Sequence, residues 1–110
     1  ISNQKLNVLY NTAFCLLYPS SYEGFGIPVI EAQKAGCPVI AANYSSIPEV
    51  IGDKTMLVSR ISPAEILRKL QFLKSDQNRK AVINLGLENA KRFSWDKTYA
   101  DTVKVYKEVL

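Results

Sequence analysis

The part of this sequence best suited to chemistry is a short segment with a carboxylate at each end. Glu23 and Glu31 stand in an E-x7-E spacing. An ionised carboxylate accepts hydrogen bonds on both oxygens, which suits a pair of neighbouring sugar hydroxyls. Gly24 and Gly26 tolerate unusual backbone angles and, lacking a side chain, let the main chain approach a ligand. The segment therefore predicts a site where a backbone loop and two carboxylates meet a hydroxyl-rich ligand.

The residues around this segment predict a strand before it and a helix within its second half. The apolar run 14–18, closed by Pro19, predicts a buried strand. Residues 28–35 predict a helix, with Pro28 in its first turn and Gly36 at its end. A helix N-terminus presents unpaired N–H groups and a partial positive charge, which suits a phosphate. Phosphate and hydroxyl recognition together indicate a nucleotide sugar.

Five short segments, in order along the chain, resemble those of retaining GT-B glycosyltransferases of the GT4 type. They are LYNTA at 9–13 with YPS at 18–20, EGFGIP at 23–28, AGCPVIA at 35–41, PEVIGD at 48–53 and RFSW at 92–95. The likeness spans essentially the whole chain. One departure is Ser45-Ser46, since many members carry two glycines there. An isolated E-x7-E spacing would be weak support, whereas five ordered segments are specific.

The resemblance assigns roles to individual positions. Glu23 is expected to be the catalytic residue that contacts donor-sugar hydroxyls near the reacting centre, and Glu31 to hold the ribose hydroxyls. Further contacts to the donor sugar are implied for Gly24, Phe25 and Gly26, and main-chain contacts to the nucleotide for Ile27 and Val29. The resemblance implies no metal and no cofactor, with a nucleotide diphosphate sugar as donor substrate.

The implied activity is transfer of a hexosyl group, with retention, to a saccharide or lipid-linked acceptor in polysaccharide biosynthesis. A GT-B nucleotide-sugar epimerase and a non-catalytic sugar-nucleotide-binding or structural module are the alternatives. A glycosidase is disfavoured, because retaining hydrolysis needs two carboxyl groups about 5–5.5 Å apart. A loop glutamate and a helix glutamate have no reason to meet that spacing.

The resemblance also implies that the 110 residues are a single, partial domain of a two-domain enzyme. GT-B enzymes have two Rossmann-like domains, and the likeness covers only the later part of the second, donor-binding domain. The N-terminal domain and the basic residues that neutralise the donor diphosphate would lie outside this chain. We therefore expect the chain alone to be inactive, and the intact enzyme to be cytoplasmic, with peripheral attachment to the inner face of a membrane as an option.

Composition excludes several other classes. The net charge is +4, and the basic residues are scattered as on solvated helix faces, without an aromatic-interleaved stripe, which argues against nucleic acid. No apolar run approaches the ~18 residues needed to span a bilayer. The chain has no histidine, and its two cysteines, Cys15 and Cys37, lack metal-ligand spacing. Both are expected to be buried, reduced thiols.

The order of predicted elements is helix, strand, helix, strand, which favours an α/β fold with a Rossmann-like parallel sheet and flanking helices. Further strands are predicted at 38–42 and 55–59, and a short helix ends at Ile51. Helix starts are predicted at Ser2, Ser46, Ser62, Ser75 or Asp76, and Ser94. At Ser46 and Ser62 the spacing S-x-x-E indicates a capping box.

Three predicted helices have apolar stripes at helical spacing. The residues expected to face inward are Leu6, Leu9, Tyr10 and Ala13 in the first, and Ile66, Leu67, Leu70 and Leu73 in the helix after Ser62. The last helix carries Trp95, Tyr99, Val103, Tyr106 and Leu110. Its front is expected to pack on this domain and its far end to reach the other domain, so the isolated chain is expected to self-associate or fray there.

Overall fold

A computed structural model describes residues 2–19, 25–59 and 62–110. Three parallel strands form one sheet in the order β1-β2-β3. They are β1 (Leu16–Tyr18), β2 (Val39–Ala42) and β3 (Leu57–Val58). Leu16 pairs with Val39, and Ala41 pairs with Leu57. The predicted α/β architecture with a parallel sheet is confirmed.

Six α-helices and one 3-10 helix surround the sheet within the described ranges. They are α1 (Asn3–Thr12), α2 (Ile27–Lys34), α3 (Ile47–Ile51), the 3-10 helix (Lys54–Met56), α4 (Pro63–Phe72), α5 (Asp76–Ala90) and α6 (Trp95–Val109). Four helices begin at serines whose hydroxyls accept a hydrogen bond from the N–H three residues on, as predicted for Ser2, Ser62, Ser75 and Ser94. Such caps satisfy N–H groups that have no acceptor inside the helix.

The core lies around β2. This central strand confirms the strand predicted at 38–42, and all four of its residues are buried. Val29 of α2, Ile47 of α3 and Leu73 after α4 are fully buried in the same cluster. A strand that is buried on both faces has a nearly continuous run of apolar residues in its sequence. That run is why the sequence predicts β2.

The two flanking strands differ from their prediction. β1 is an edge strand, and Leu17 is exposed, so the expected buried strand at 14–18 is buried only in part. In place of a strand at 55–59, the chain forms the 3-10 helix and then only Leu57–Val58 as β3. Asp53 causes this change, because its Oδ1 accepts hydrogen bonds from the N–H and hydroxyl of Thr55 and so favours a local turn.

Three residues predicted to face inward are exposed instead. They are Leu9 in α1, Leu67 in α4 and Tyr99 in α6, the last with 73% of its surface accessible. The helices α1 and α4 do present other members of the predicted stripes, such as Tyr10 and Ile66, to the core. Helical spacing identifies an apolar stripe, but the width of the neighbouring surface decides how much of it is covered.

Neither of the two predicted capping boxes forms as expected, and only that at Ser62 keeps its serine cap. Ser46 is the N-cap of α3 by position, but its side chain makes no capping hydrogen bond. Ser62 Oγ caps α4 as expected, accepting from the N–H of Glu65 at 3.3 Å. The carboxylate of Glu65 does not return to Ser62, however, and accepts instead from the N–H and hydroxyl of Ser59 at the end of β3.

Candidate functional site

The start of α2 depends on a glycine in a left-handed conformation. Gly26 is the N-cap, with φ 91° and ψ 42°, and it is buried. A Cβ at this position would lie 2.8 Å from Ile47 Cδ1 of α3, closer than real contacts allow. The left-handed backbone angle therefore favours glycine, and any larger residue would also force the tip of the Ile47 side chain to shift. The helix begins at Ile27, one residue before the predicted position, with Pro28 in its first turn.

The two predicted main-chain contacts to the nucleotide differ in availability. Val29 N–H donates to the carbonyl oxygen of Gly26 at 3.0 Å, and the Val29 side chain is fully buried. A phosphate at Val29 would have to share that N–H. Ile27 is exposed and is the first helical residue, so its N–H has no acceptor within the helix. Of the two, Ile27 is the better placed to meet an anion.

Glu31 is an exposed carboxylate on a helix that is otherwise largely buried. Its neighbours Val29, Ile30 and Ala32 lie in the core, whereas Glu31 faces outward. It is the fifth residue of α2, and no acidic residue lies in the first turn. The dipole of a helix acts mainly on its first turn, so favourable charge placement does not explain this glutamate well.

Tyr10 of α1 lies close enough to Glu31 to feel its charge. Burial raises the pKa of the Tyr10 phenol, and the Glu31 carboxylate and the Cys37 thiol raise it further. Tyr10 also packs against the core. The C-terminal part of α1 is therefore a neighbour of the predicted ribose-binding carboxylate.

Phe25, predicted to contact the donor sugar, lies immediately before Gly26 and packs on an aromatic ring from the other end of the chain. The Phe25 and Phe93 ring centroids are 5.7 Å apart with an interplanar angle of 80°. This edge-to-face arrangement is favourable for aromatic pairs. The contact brings the RFSW segment, which follows α5, to the start of α2. Glu23 and Gly24 lie outside the described residues. The role predicted for the Glu23 carboxylate therefore stays a prediction.

Two side-chain amides, which sequence reasoning missed, join α2, α3 and α5. Gln33 Nε2 donates to the carbonyl oxygen of Ile51 at 2.9 Å. Asn89 Nδ2 donates to Gln33 Oε1 and to the carbonyl oxygen of Val50, both at 2.7 Å. Gln33 is buried, and these bonds satisfy its amide and the last carbonyls of α3. The junction fixes the helix that carries Glu31.

Gly86 allows α5 to approach α2 at this junction. A Cβ at Gly86 would lie 3.2 Å from Gln33 Cγ, so the two helices meet through this glycine. The sequence suggests only that Gly86 weakens the middle of a helix. The only signals in the sequence for the contact between α5 and α2 are Gly86 within a helix and Gln33 on a largely apolar helix.

Ser45 adopts a φ of 56°. Many members of the GT4-type family that the sequence resembles carry glycine at this position. Ser45 is the only residue other than glycine with a positive φ among those described. This left-handed region costs an ordinary residue roughly 1–2 kcal/mol. The backbone between β2 and α3 therefore keeps a shape suited to glycine although the residue is serine.

The two cysteines are free thiols. Cys37 is buried as expected, whereas Cys15 is only half-buried. Burial raises the pKa of both thiols, and the nearby Arg79 guanidinium opposes that rise. Both therefore favour the protonated form, which is a poor nucleophile. Among the residues with assigned structure, no group of three or more His, Cys, Asp or Glu side chains is arranged to hold a metal ion.

Comparison with known proteins decides the family. A protein-family model described as Glycosyl transferases group 1 matches residues 1–93. The chain belongs to this family. Its parallel sheet with flanking helices is consistent with the Rossmann-like domains of GT-B enzymes.

Individual relatives are similar over nearly the whole chain. An O-antigen chain mannosyltransferase B of Escherichia coli is 40% identical over 97% of this chain and 28% of its own length. A D-inositol 3-phosphate glycosyltransferase of Streptomyces bingchenggensis is 38% identical over 92% of this chain and 23% of its own. An MMP alpha-(1->4)-mannosyltransferase of Mycolicibacterium hassiacum is 29% identical over 100% and 28% respectively. The glycosyltransferase chain described here thus spans about a quarter of the length of these relatives.

Within the described ranges, no helix of this glycosyltransferase chain is both long enough and apolar enough to cross a membrane.

Proposed function

We propose that this chain is the C-terminal part of the donor-binding domain of a retaining, GT4-like glycosyltransferase. The intact enzyme would move a hexosyl group from a nucleotide diphosphate sugar to a saccharide or lipid-linked acceptor. The observation that carries the proposal is the start of α2, where Gly26 leads into the Ile27 N–H, which has no acceptor within the helix, and Glu31 stands outward beyond the first turn. That arrangement offers an anion site and a hydroxyl acceptor on one short helix.

Each proposed role follows from what the group can do. The first N–H groups of α2 would hold a phosphate oxygen, with Ile27 better placed than Val29. Glu31 would accept hydrogen bonds from the two ribose hydroxyls. Glu23, with the main chain of Gly24, Phe25 and Gly26, would contact the transferred sugar.

The chemistry of the leaving group explains why a helix N-terminus is useful. As the bond from the sugar to the diphosphate breaks, negative charge develops on the departing phosphate, and preorganised N–H groups stabilise it. Basic residues in the remainder of the intact enzyme would supply the rest of the neutralisation. The proposed reaction draws on no resident metal or cofactor.

Mannosyl is the hexosyl group to test first. Relatives named as mannosyltransferases occur in Escherichia coli, 40% identical, and in Mycolicibacterium hassiacum, 29% identical. Other relatives are named as D-inositol 3-phosphate glycosyltransferases. The names of the mannosyltransferases specify the transferred sugar, so a mannosyl donor is the starting point.

A GT-B epimerase and a non-catalytic module remain the alternative functions. The family match and the names of the relatives favour a transferase. Product analysis separates the three, since an epimerase changes the sugar nucleotide without an acceptor and a module changes nothing. We propose a cytoplasmic location, with the acceptor setting any attachment to a membrane.

The proposal is tested by Glu31→Gln in the intact enzyme. An amide accepts at only one of its two positions, so one charge-assisted hydrogen bond to the ribose is lost. Such a bond contributes about 1.5 kcal/mol, and donor affinity should fall about tenfold. The measurement is calorimetric titration with GDP- and UDP-sugars. Glu88→Gln, on an exposed face of α5, is the matched control and should leave affinity unchanged. Equal affinity in Glu31→Gln and the wild type would remove Glu31 from the donor site.

A further inference from the structure

Three side chains form a stack that links the end of α5 to the start of α2. The Phe93 ring meets the Phe25 ring edge to face at a centroid distance of 5.7 Å. The guanidinium carbon of Arg92 lies 4.8 Å from the centroid of the Phe93 ring. Cation and ring attract each other at such distances. The order Arg92, Phe93, Phe25 thus ends at the residue that precedes Gly26.

The outer end of the stack is fixed by hydrogen bonds. Arg92 Nε donates to Asn89 Oδ1 at 2.8 Å, and Arg92 Nη2 donates to the carbonyl oxygen of Glu49 at 3.0 Å. Glu49 lies in α3, whose last carbonyls favour a cation. Asn89 is itself bonded to Gln33 and Val50. The stack therefore rests on the junction that joins α2, α3 and α5.

We propose that Phe93, backed by Arg92, is a positioning residue for donor binding that acts through Phe25. The inference rests on the proposed function, because it concerns the same anion-binding start of α2. Phe93 would not touch the donor. It would hold Phe25, and with it the backbone at Gly26, in the one conformation that presents the Ile27 N–H correctly.

The physical reason lies in the freedom of the segment. Phe25 leaves 45% of its surface exposed, so a limited set of contacts restrains its ring. Gly26, next along the chain, can adopt many backbone angles. If Phe93 is lost, the start of α2 samples other conformations, and apparent affinity falls with the fraction that can bind. Loss of Phe93 should therefore weaken donor affinity without slowing the chemical step once the donor is bound.

The test is a double-mutant cycle in the intact enzyme with Phe25→Leu, Phe93→Leu and both together. Each single change should weaken donor affinity about two- to tenfold, the range typical of an aromatic pair. The double variant should be no weaker than the worse single variant, because both break one interaction. For Phe93→Leu, turnover at saturating donor should stay within about twofold of wild type. Arg92→Ala should weaken affinity in the wild type but not in Phe93→Leu.

Two variants serve as controls. Phe72→Leu makes the same chemical change on α4 at a residue with 43% of its surface exposed, and it should not alter donor affinity. Phe93→Tyr keeps the ring and should retain affinity. Thermal unfolding of every variant separates loss of fold from loss of positioning.

Each outcome of the cycle supports or overturns the proposal. Unchanged donor affinity in a folded Phe93→Leu variant would make the stack purely structural. Losses that multiply in the double variant would show that Phe93 does not act through Phe25. If the wild-type enzyme binds none of the GDP- or UDP-sugars, the proposed function fails and this inference fails with it. Wild-type binding with unaffected variants overturns the inference alone.

Discussion

At the scale of single residues, several charged and amide groups in the described ranges serve the ends of helices and strands. Gln33, Asn89 and Arg92 satisfy carbonyls of α3. Glu65 satisfies an N–H at the end of β3. Glu31 stands exposed outside the first turn of α2, between neighbours that lie in the core. That exposure on an otherwise largely buried helix is the residue-level observation behind the proposal that it meets a ligand.

Glu65 provides a prediction on pH at this scale. Hydrogen bonds from the N–H and then the hydroxyl of Ser59 lower the pKa of the Glu65 carboxyl, with smaller help from Arg68 and Lys69. A lowered folded-state pKa means that the interaction stabilises the fold above the unfolded value, about 4.3, and is lost as pH falls through the folded value. Carbon-detected NMR titration should show Glu65 protonating at lower pH than an ordinary glutamate, with the Ser59 amide shifting in the same window.

Variants of Ser59 and Glu65 test whether their hydrogen bonds lower the pKa of Glu65. Ser59→Ala removes the hydroxyl but keeps the N–H, which is the larger cause, so the pKa of Glu65 should rise only part of the way. Glu65→Gln should abolish the titration of the Ser59 amide. A Glu65 carboxyl that titrates at the unfolded value would contradict the hydrogen bond itself.

At the scale of elements, glycines set how closely the helices approach. Gly52 ends α3 with φ 76°, and a Cβ there would lie 2.3 Å from Asn89 Oδ1. Gly36 follows α2 with nearly the same φ, 74°, but its Cβ would meet only Ile83 Cγ2 at 3.8 Å. Changing each to alanine therefore separates backbone strain from collision.

We expect Gly36→Ala to lower the free energy of unfolding by roughly 1–2 kcal/mol, the cost of a left-handed residue. Gly52→Ala should cost about 1–3 kcal/mol more, because Asn89 must move and leave buried amide bonds unmade. Urea unfolding measures both. In an Asn89→Ala background the extra cost of Gly52→Ala should largely disappear. Equal costs at the two glycines in the wild-type background would show that the Asn89 contact is not tight.

The elements near the site divide clearly into those the sequence predicts and those it does not. Local patterns sufficed for α2, for β2 and for the serine caps, because each depends on residues within one turn or one strand. The junction of Gln33 with Asn89 joins positions 56 apart, and the Phe25–Phe93 contact is similarly distant. Such pairs leave no local signal. Family resemblance drew attention to both segments of the stack, but only the folded chain brings them together.

At the scale of the whole molecule, α6 is the least integrated part. Tyr99 and Tyr106 are 73% and 63% exposed, and Val109 is exposed as well. The radius of gyration is 15.4 Å, against about 13 Å for a compact domain of this size. A contiguous apolar helix face of this kind usually marks an interaction surface. We propose that the remainder of the intact enzyme covers it.

The isolated chain should therefore self-associate through α6. Burial of apolar surface contributes about 25 cal/mol per Å², so two copies gain by covering each other's exposed aromatic rings. Sedimentation should show a concentration-dependent dimer or larger species, and Tyr106→Lys should weaken it. Leu67→Lys, at an exposed apolar residue of α4 with 56% of its surface accessible, is the control and should leave association unchanged.

If the chain stays monomeric because α6 frays, hydrogen exchange will be fast from Val103 onward. A monomer whose last two turns exchange as slowly as β2 would contradict both the association and the unpartnered state of α6.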